Sequence, residues 1–181
     1  TMLELWNALQ TVIDPATLLW VGGFYLLMFV SFAETGLLIG FFLPGDYLLF
    51  LAGMFVATGS LDVHISVMIA GLIVAAILGN FTGYWFGKRT GPLLYSKKES
   101  LFFKKKYLVA AEDYYKKQGA FALIMGRFVP IVRTFAPIFA GVVKIDFKKF
   151  AFYNVAGAII WITSLTLLGY LLGKKLKKEI N

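Results

Sequence analysis

Residues 120–143 form an apolar run that an ordinary spanning helix cannot accommodate. Gly126-Arg127-Phe128-Val129-Pro130-Ile131-Val132-Arg133-Thr134-Phe135-Ala136-Pro137 sets two arginines and two prolines inside it. An arginine at the centre of a bilayer costs about 2.5–3.5 kcal/mol on insertion scales. A proline within a helix frees a backbone carbonyl that hydrocarbon cannot satisfy. The run is therefore expected to line a cavity instead of facing lipid. Gly40-Phe41-Phe42-Leu43-Pro44-Gly45-Asp46, 86 positions upstream, repeats the Gly-x-Phe-x-Pro pattern with an acid after the proline, and Glu34 precedes it. The two broken runs read as halves of one site.

The rest of the chain supplies the bilayer such a site needs. Hydrophobic residues make up 59% of it and charged residues 15%, with a mean hydropathy of +0.76, whereas soluble domains carry about 25% charged residues. The apolar stretches are long and punctuated by Gly and Pro, a helical signal, because barrel strands alternate over about ten residues. The expected class is an all-α membrane protein. Cysteine is absent and His64 is the single histidine, which excludes disulfides and Cys-ligated metals and leaves no His cluster for zinc or phosphoryl-transfer chemistry. No cofactor and no enzymatic activity are expected. The net charge of +8 lies mainly in Lys clusters between apolar stretches, a pattern of membrane orientation and anionic-lipid contact, not of nucleic-acid binding. The amino end carries Glu4 and Asp14 and no basic n-region, so no cleavable signal is expected.

In chain order, residues 2–13 place Leu5, Trp6 and Leu9 at helical spacing before Pro15, predicting a short interfacial helix. Ala16 to Ser31 is marginal in length for a crossing. Thr35 to Ala57, interrupted at Pro44-Gly45-Asp46, reads as a re-entrant hairpin. Ile65 to Phe86 is long enough to span, and Gly79, Gly83, Gly87 and Gly91 along and beyond its end form a face without side chains that another helix can approach closely. Lys88 to Gln118 carries eight Lys and one Arg among apolar residues, predicting an amphipathic helix on the membrane surface. After the second broken run, a spanning helix is expected from about Phe150 to Leu172, followed by Lys174-Lys175-Leu176-Lys177-Lys178.

The offset of 86 extends beyond the two loops. Ala70-Gly71 falls on Ala156-Gly157, and Gly83-Tyr84-x-x-Gly87-Lys88 falls on Gly169-Tyr170-x-x-Gly173-Lys174. Residues 1–181 thus read as one polytopic domain: repeat 1 about 34–91, an amphipathic connector 92–118, and repeat 2 about 119–177. A hairpin plus one crossing helix gives each unit an odd number of crossings, so the second copy is expected to be inverted, with its ligand site near the midplane. The segments Lys88–Lys117 and Lys144–Lys149 hold twelve basic residues against four in the tail, which places them in the cytoplasm. The tail then emerges outside, an arrangement that suggests either a further crossing helix beyond it or a tail that departs from the positive-inside rule.

Glu34, Pro44-Gly45-Asp46, the spaced glycines with Tyr84, Gly126-Arg127-Phe128-x-Pro130-x2-Arg133-x3-Pro137-x3-Gly141, and Phe150, Asn154, Gly157, Trp161 and Gly169-Tyr170 together resemble the DedA family, also called the SNARE-associated or VTT-domain family. The resemblance covers about residues 30–173. It implies two opposed re-entrant loops and translocation of lipids between leaflets: undecaprenyl phosphate or phosphatidylethanolamine in bacteria, phospholipid scrambling in eukaryotic relatives. It also implies that Glu34 and Asp46 are the key acids and Arg127 and Arg133 the key arginines. The chain departs from the family pattern in Asp46, where Glu is common, in Asn80, where Asp often sits, and in lacking the usual last crossing helix.

Arginine suits a phosphate because its planar fork donates two parallel hydrogen bonds and stays charged in a poorly hydrated cavity. Arg127 and Arg133 are therefore the candidate substrate-binding residues, with the alternative that each merely neutralises Glu34 or Asp46. Those two acids are candidates for a proton relay, against a structural role and, for Asp46, an N-cap. Pro44, Gly45, Pro130 and Pro137 are expected to break the loops. His64 and the tryptophans Trp20, Trp85 and Trp161 read as interfacial or packing residues. The expected function is proton-coupled movement of undecaprenyl phosphate across a bacterial inner membrane by a multi-pass transporter, with phosphatidylethanolamine flipping or scrambling as the alternative. Membrane lipids and protons are the expected partners, and a homo-oligomer is compatible with the sequence.

Overall fold

The computed structural model describes residues 15–36, 45–96, 109, 113, 117 and 130–180. Five helices account for nearly all of them: α1 (Pro15–Gly36), α2 (Gly45–Thr58), α3 (Ile65–Ser96), α4 (Pro130–Val142) and α5 (Phe147–Ile180). The interfacial helix expected at residues 2–13 and most of the connector lie outside the described residues, although Val109, Asp113 and Lys117 are helical and exposed.

Two helices are long and apolar enough to cross a membrane, over Ile65–Pro92 and Phe147–Glu179. At 1.5 Å per residue, α5 measures about 51 Å, longer than a hydrocarbon core of about 30 Å. Contacts fix their relative direction. Asn80 meets Asn154 and the Tyr84 ring stacks on Phe150, so residue numbers rise in α3 as they fall in α5, and the pair is antiparallel.

The shorter helices dock crosswise between the halves. α2 runs parallel to α5: a methyl on Gly53 would strike the Thr166 carbonyl, one on Gly169 the Phe50 carbonyl, and one on Gly173 would lie 2.8 Å from the Met54 carbonyl. α4 runs parallel to α3 in the same manner, with Gly87 against Ile138, Gly91 against Val142 and Gly141 against Tyr84 and Lys88. Glycine-on-backbone contact lets the axes approach more closely than any side chain would allow. α2 therefore lies on α5 and α4 on α3, and α2 and α4 start at one level and run outward to opposite ends.

The two half-helices also end alike. In α2, Ser60 N–H donates to Phe55 O at 2.9 Å and Gly59 N–H to Val56 O at 3.3 Å, with Gly59 at φ 85°. In α4, Ile145 N–H donates to Ala140 O and Lys144 N–H to Gly141 O, both at 3.0 Å, with Lys144 at φ 54°. Both are Schellman stops, which return the chain into the following long helix. Asp146 then caps α5 by accepting from Lys149 N–H at 3.0 Å, and His64 Nδ1 accepts from Ser66 N–H at the start of α3.

Four boundaries are drawn by the structure. α1 runs on through Glu34 to Gly36, and its break is at Gly23, whose φ 55° and ψ −146° fall in a region essentially reserved for glycine. Pro15 is the first residue of α1, a position where a proline sacrifices no intrahelical bond; the segment before it lies outside the described residues. Pro92 lies inside α3, which continues to Ser96; the Lys88 carbonyl it leaves unbonded lies at the interfacial end of the helix, where water can reach it. Pro137 does not break a loop. It sits buried inside α4, its Cβ 3.5 Å from where a Gly83 methyl would stand, so the ring packs against the bare face of α3 while the helix continues.

Candidate functional site

The end of α1, the starts of α2 and α4, and the middles of α3 and α5 converge on one level. The local sequence explains why. In α1, Thr35 Oγ1 donates back to Ser31 O at 2.9 Å and comes within 3.4 Å of Ala76 O, while Gly36 abuts Gly79 so closely that a methyl would lie 2.7 Å from the Gly79 carbonyl. This fixes Glu34, one residue earlier, against the interior. Gly45 and Asp46 open α2, and Pro130 opens α4 with Arg133 in its first turn. Two helix N-termini, each with a partial positive charge, thus meet near the acids.

Arg133 joins the three elements. One guanidinium nitrogen donates to Asp46 Oδ1 and the other to Glu34 Oε1. The Glu34 and Arg133 side chains are each only 8% exposed, while that of Asp46 is 35% exposed. Trp161 Nε1–H donates to the same Asp46 oxygen at 2.9 Å, tying α5 to the cluster. Beside it, Asn80 Nδ2 donates to Asn154 Oδ1 at 2.5 Å, both side chains being buried between α3 and α5. A forked donor engaging two carboxylates is the geometry that a buried arginine needs in order not to be an uncompensated charge.

Of the residues singled out from sequence, the structure brings Glu34, Asp46 and Arg133 into direct contact and puts Gly45 beside them. Pro44 and Arg127 lie outside the described residues. Gly79 receives the end of α1, while Gly83, Gly87 and Gly91 receive α4, so one glycine row serves two neighbours. Trp161 belongs to the ion-pair cluster and not to an interfacial belt. The available signal was its place seven residues after Asn154, on the same helical face. The Asn80–Asn154 pair had no local signal, since nothing in either segment names its partner.

Gly45 has no room for a side chain: a methyl there would overlap the Glu34 carboxylate. Gly45→Ala is expected to push Glu34 off Arg133 and to lower the unfolding midpoint in detergent by an amount equivalent to about 1–3 kcal/mol. An unchanged midpoint would show that Glu34 relocates freely and is not held in this position.

Two long apolar helices, bridged by half-helices that begin at a shared level around a buried ion-pair cluster, define an all-α integral membrane protein. The VTT domain family matches residues 43–171. Protein DedA of Escherichia coli (strain K12) is 40% identical over 154 residues, covering 85% of this chain and 69% of that protein. An uncharacterized membrane protein of Mycobacterium tuberculosis (strain ATCC 25618 / H37Rv) is 37% identical over 173 residues, 92% of this chain and 76% of that protein. The inner membrane protein YqjA of Escherichia coli (strain K12) is 35% identical over 166 residues, 91% and 73% respectively. No solved structure matches. The chain belongs to the VTT-domain family, the DedA family of membrane proteins.

Proposed function

We propose that this protein is a non-enzymatic transporter that carries a phosphate-bearing lipid, undecaprenyl phosphate, between the leaflets of a bacterial inner membrane, coupled to protons. The observation that carries the reading is Arg133 held between Glu34 and Asp46 at the level where α2 and α4 both begin. The opposed directions of α2 and α4 and their matching C-terminal stops support two inverted repeats with re-entrant hairpins, the architecture in which a central site faces either side in turn.

Charge conservation suggests the coupling. A phosphate monoanion entering the site adds one negative charge, and a proton taken up by Glu34 or Asp46 removes one, so their joint entry leaves the net charge of the cavity unchanged. Protonation also releases one arm of the Arg133 guanidinium, which can then donate to the phosphate in the same forked geometry. Release on the far side reverses the sequence. Arg127 would serve as the second phosphate ligand. A protein that only scaffolds the membrane would have no use for three ionised side chains at midspan, given what each costs there.

The test is reconstitution into liposomes with fluorescent polyprenyl phosphate, with and without a pH gradient, for the wild type, Glu34→Gln and Asp46→Asn. The wild type is expected to respond to the gradient and each amide variant to lose that response, because amides keep the shape but cannot titrate. An unchanged pH response in both variants would overturn the relay. Phosphatidylethanolamine moved in preference to the polyprenyl phosphate would replace the substrate assignment with the flippase alternative.

A further inference from the structure

On the bilayer-facing side of α3 an open groove of about 590 Å³ runs between that helix and the end of α1. Phe32 closes its inner end; Leu78, Phe81, Trp85 and Phe86 form the wall; Arg89 stands at the outer end. Leu78, Thr82, Trp85 and Arg89 follow one another at intervals of four, three and four, so they lie along one helical face. Thr82 Oγ1 donates to Leu78 O at 2.9 Å, which satisfies the one hydroxyl and leaves the wall apolar. Trp85 is 55% exposed although its ring meets Phe147 at 5.8 Å and Tyr84 at 6.1 Å, a large open surface for an aromatic.

The dimensions and the charge decide the occupant. Leu78 adjoins Gly79 and Asn80 at the level of the ion-pair cluster, and Arg89 lies eleven residues further along the helix, or about 16 Å at 1.5 Å per residue. That is about half of the roughly 30 Å hydrocarbon core, so the groove is one leaflet deep. A spanning helix of a partner protein would need a trough through both leaflets. A lipid tail needs only one, with its head at the interface. The outer end is cationic on balance: Arg89 is exposed and has no carboxylate partner among the described residues, Lys88 Nζ lies 5.0 Å over the Trp85 ring, and the Lys144–Lys149 turn, with three lysines against Asp146, is at the same end, where Ile145 O accepts from Tyr84.

We propose that this groove is a binding site for an anionic phospholipid, with an acyl chain lying along Trp85, Phe81 and Leu78 toward Phe32 and the phosphate on Arg89. Phe32 lies two residues before Glu34, at nearly the same level of α1 but turned to another face, so the chain terminus ends level with the central cluster and outside it. Binding does not require that this lipid be carried across, so the proposal stands or falls separately from the transport reading.

The test replaces Phe86 with the photoreactive p-benzoylphenylalanine in the full chain, reconstituted in vesicles of phosphatidylglycerol mixed equally with phosphatidylcholine. After irradiation, intact mass identifies what has been captured. Phosphatidylglycerol adducts are expected to exceed phosphatidylcholine adducts about fivefold, the equivalent of the ~1 kcal/mol that one basic residue contributes near an anionic surface. Arg89→Gln should abolish the preference and Arg89→Lys should retain most of it, since the phosphate contact at an exposed site is chiefly a point charge. Equal yields for both lipids, or a preference unaltered in Arg89→Gln, would overturn the proposal in favour of ordinary boundary lipid. Capture of residues 97–118 of the same chain, or of a second copy, would overturn it in favour of a protein occupant.

Discussion

Arg133→Leu is expected to be the most damaging single change in the protein, because it strips two carboxylates on two different helices of their shared partner. Removing one member of a buried ion pair costs about 3–5 kcal/mol. Glu34, buried on all sides, should account for most of that, and the half-open Asp46, which keeps its bond from Trp161, for less. Arg133→Lys keeps the charge but offers a single ammonium where a planar fork spans two acids, so it should fall between the wild type and Arg133→Leu in stability while losing transport. The combined variant Arg133→Leu, Glu34→Gln, Asp46→Asn should recover much of the lost stability without recovering transport, since neutral groups carry no desolvation debt. Denaturation midpoints in detergent, compared with liposome transport on the same preparations, check all three. If Arg133→Leu unfolds at the wild-type midpoint, the cluster contributes nothing to holding α1, α2 and α4 together.

The second large effect is steric. Gly53→Ala and Gly169→Ala would each drive a methyl group into a backbone carbonyl of the facing helix, Thr166 and Phe50 respectively. Neither obstacle can rotate away, so α2 and α5 must separate, and overpacking of this kind costs about 1–3 kcal/mol per site. Both substitutions strain the same interface, and a displacement forced by one relieves part of the other. The double variant is therefore expected to lose less than the sum of the singles. Separation would also draw Asp46 away from Trp161, so transport should fall with stability. Full additivity in the unfolding midpoints would mean that the two glycines act on independent contacts and that α2 does not move as a rigid unit.

How far the sequence reveals this structure depends on the range of the interaction. The two crossing helices and the two starting points at Gly45 and Pro130 follow from apolar run length and from the chemistry of Gly and Pro, which act within a few residues. The glycine row was legible as a packing face, but its division between α1 and α4 was not, because a bare face does not specify its partner. Pro92 and Pro137 show the limit of local rules: each loses a hydrogen bond, but one sits near a helix end at the interface and the other is packed against α3. Gly23 illustrates the reverse. Its nearest neighbour to an added methyl is 3.9 Å away, so space is not the constraint, and only the backbone angles show why glycine is needed. The acids and Arg133 were legible as a set because charge inside an apolar run demands a partner. Trp161 and the Asn80–Asn154 pair were not, since polar groups of ordinary helix composition gain their meaning only from what faces them.

The crosswise docking of the half-helices has a consequence for biogenesis. Gly53 of α2 leaves the ribosome more than a hundred residues before Gly169, against whose helix it must pack. At a synthesis rate of about 5–20 residues per second, the interval is roughly 6–23 s. Throughout that time the nascent first half holds a short helix with a glycine face, an acid at its amino end and no long helix to lie on. The order of manufacture and the order of assembly therefore cannot coincide: the first half waits, incompletely packed, for a helix that the ribosome makes last.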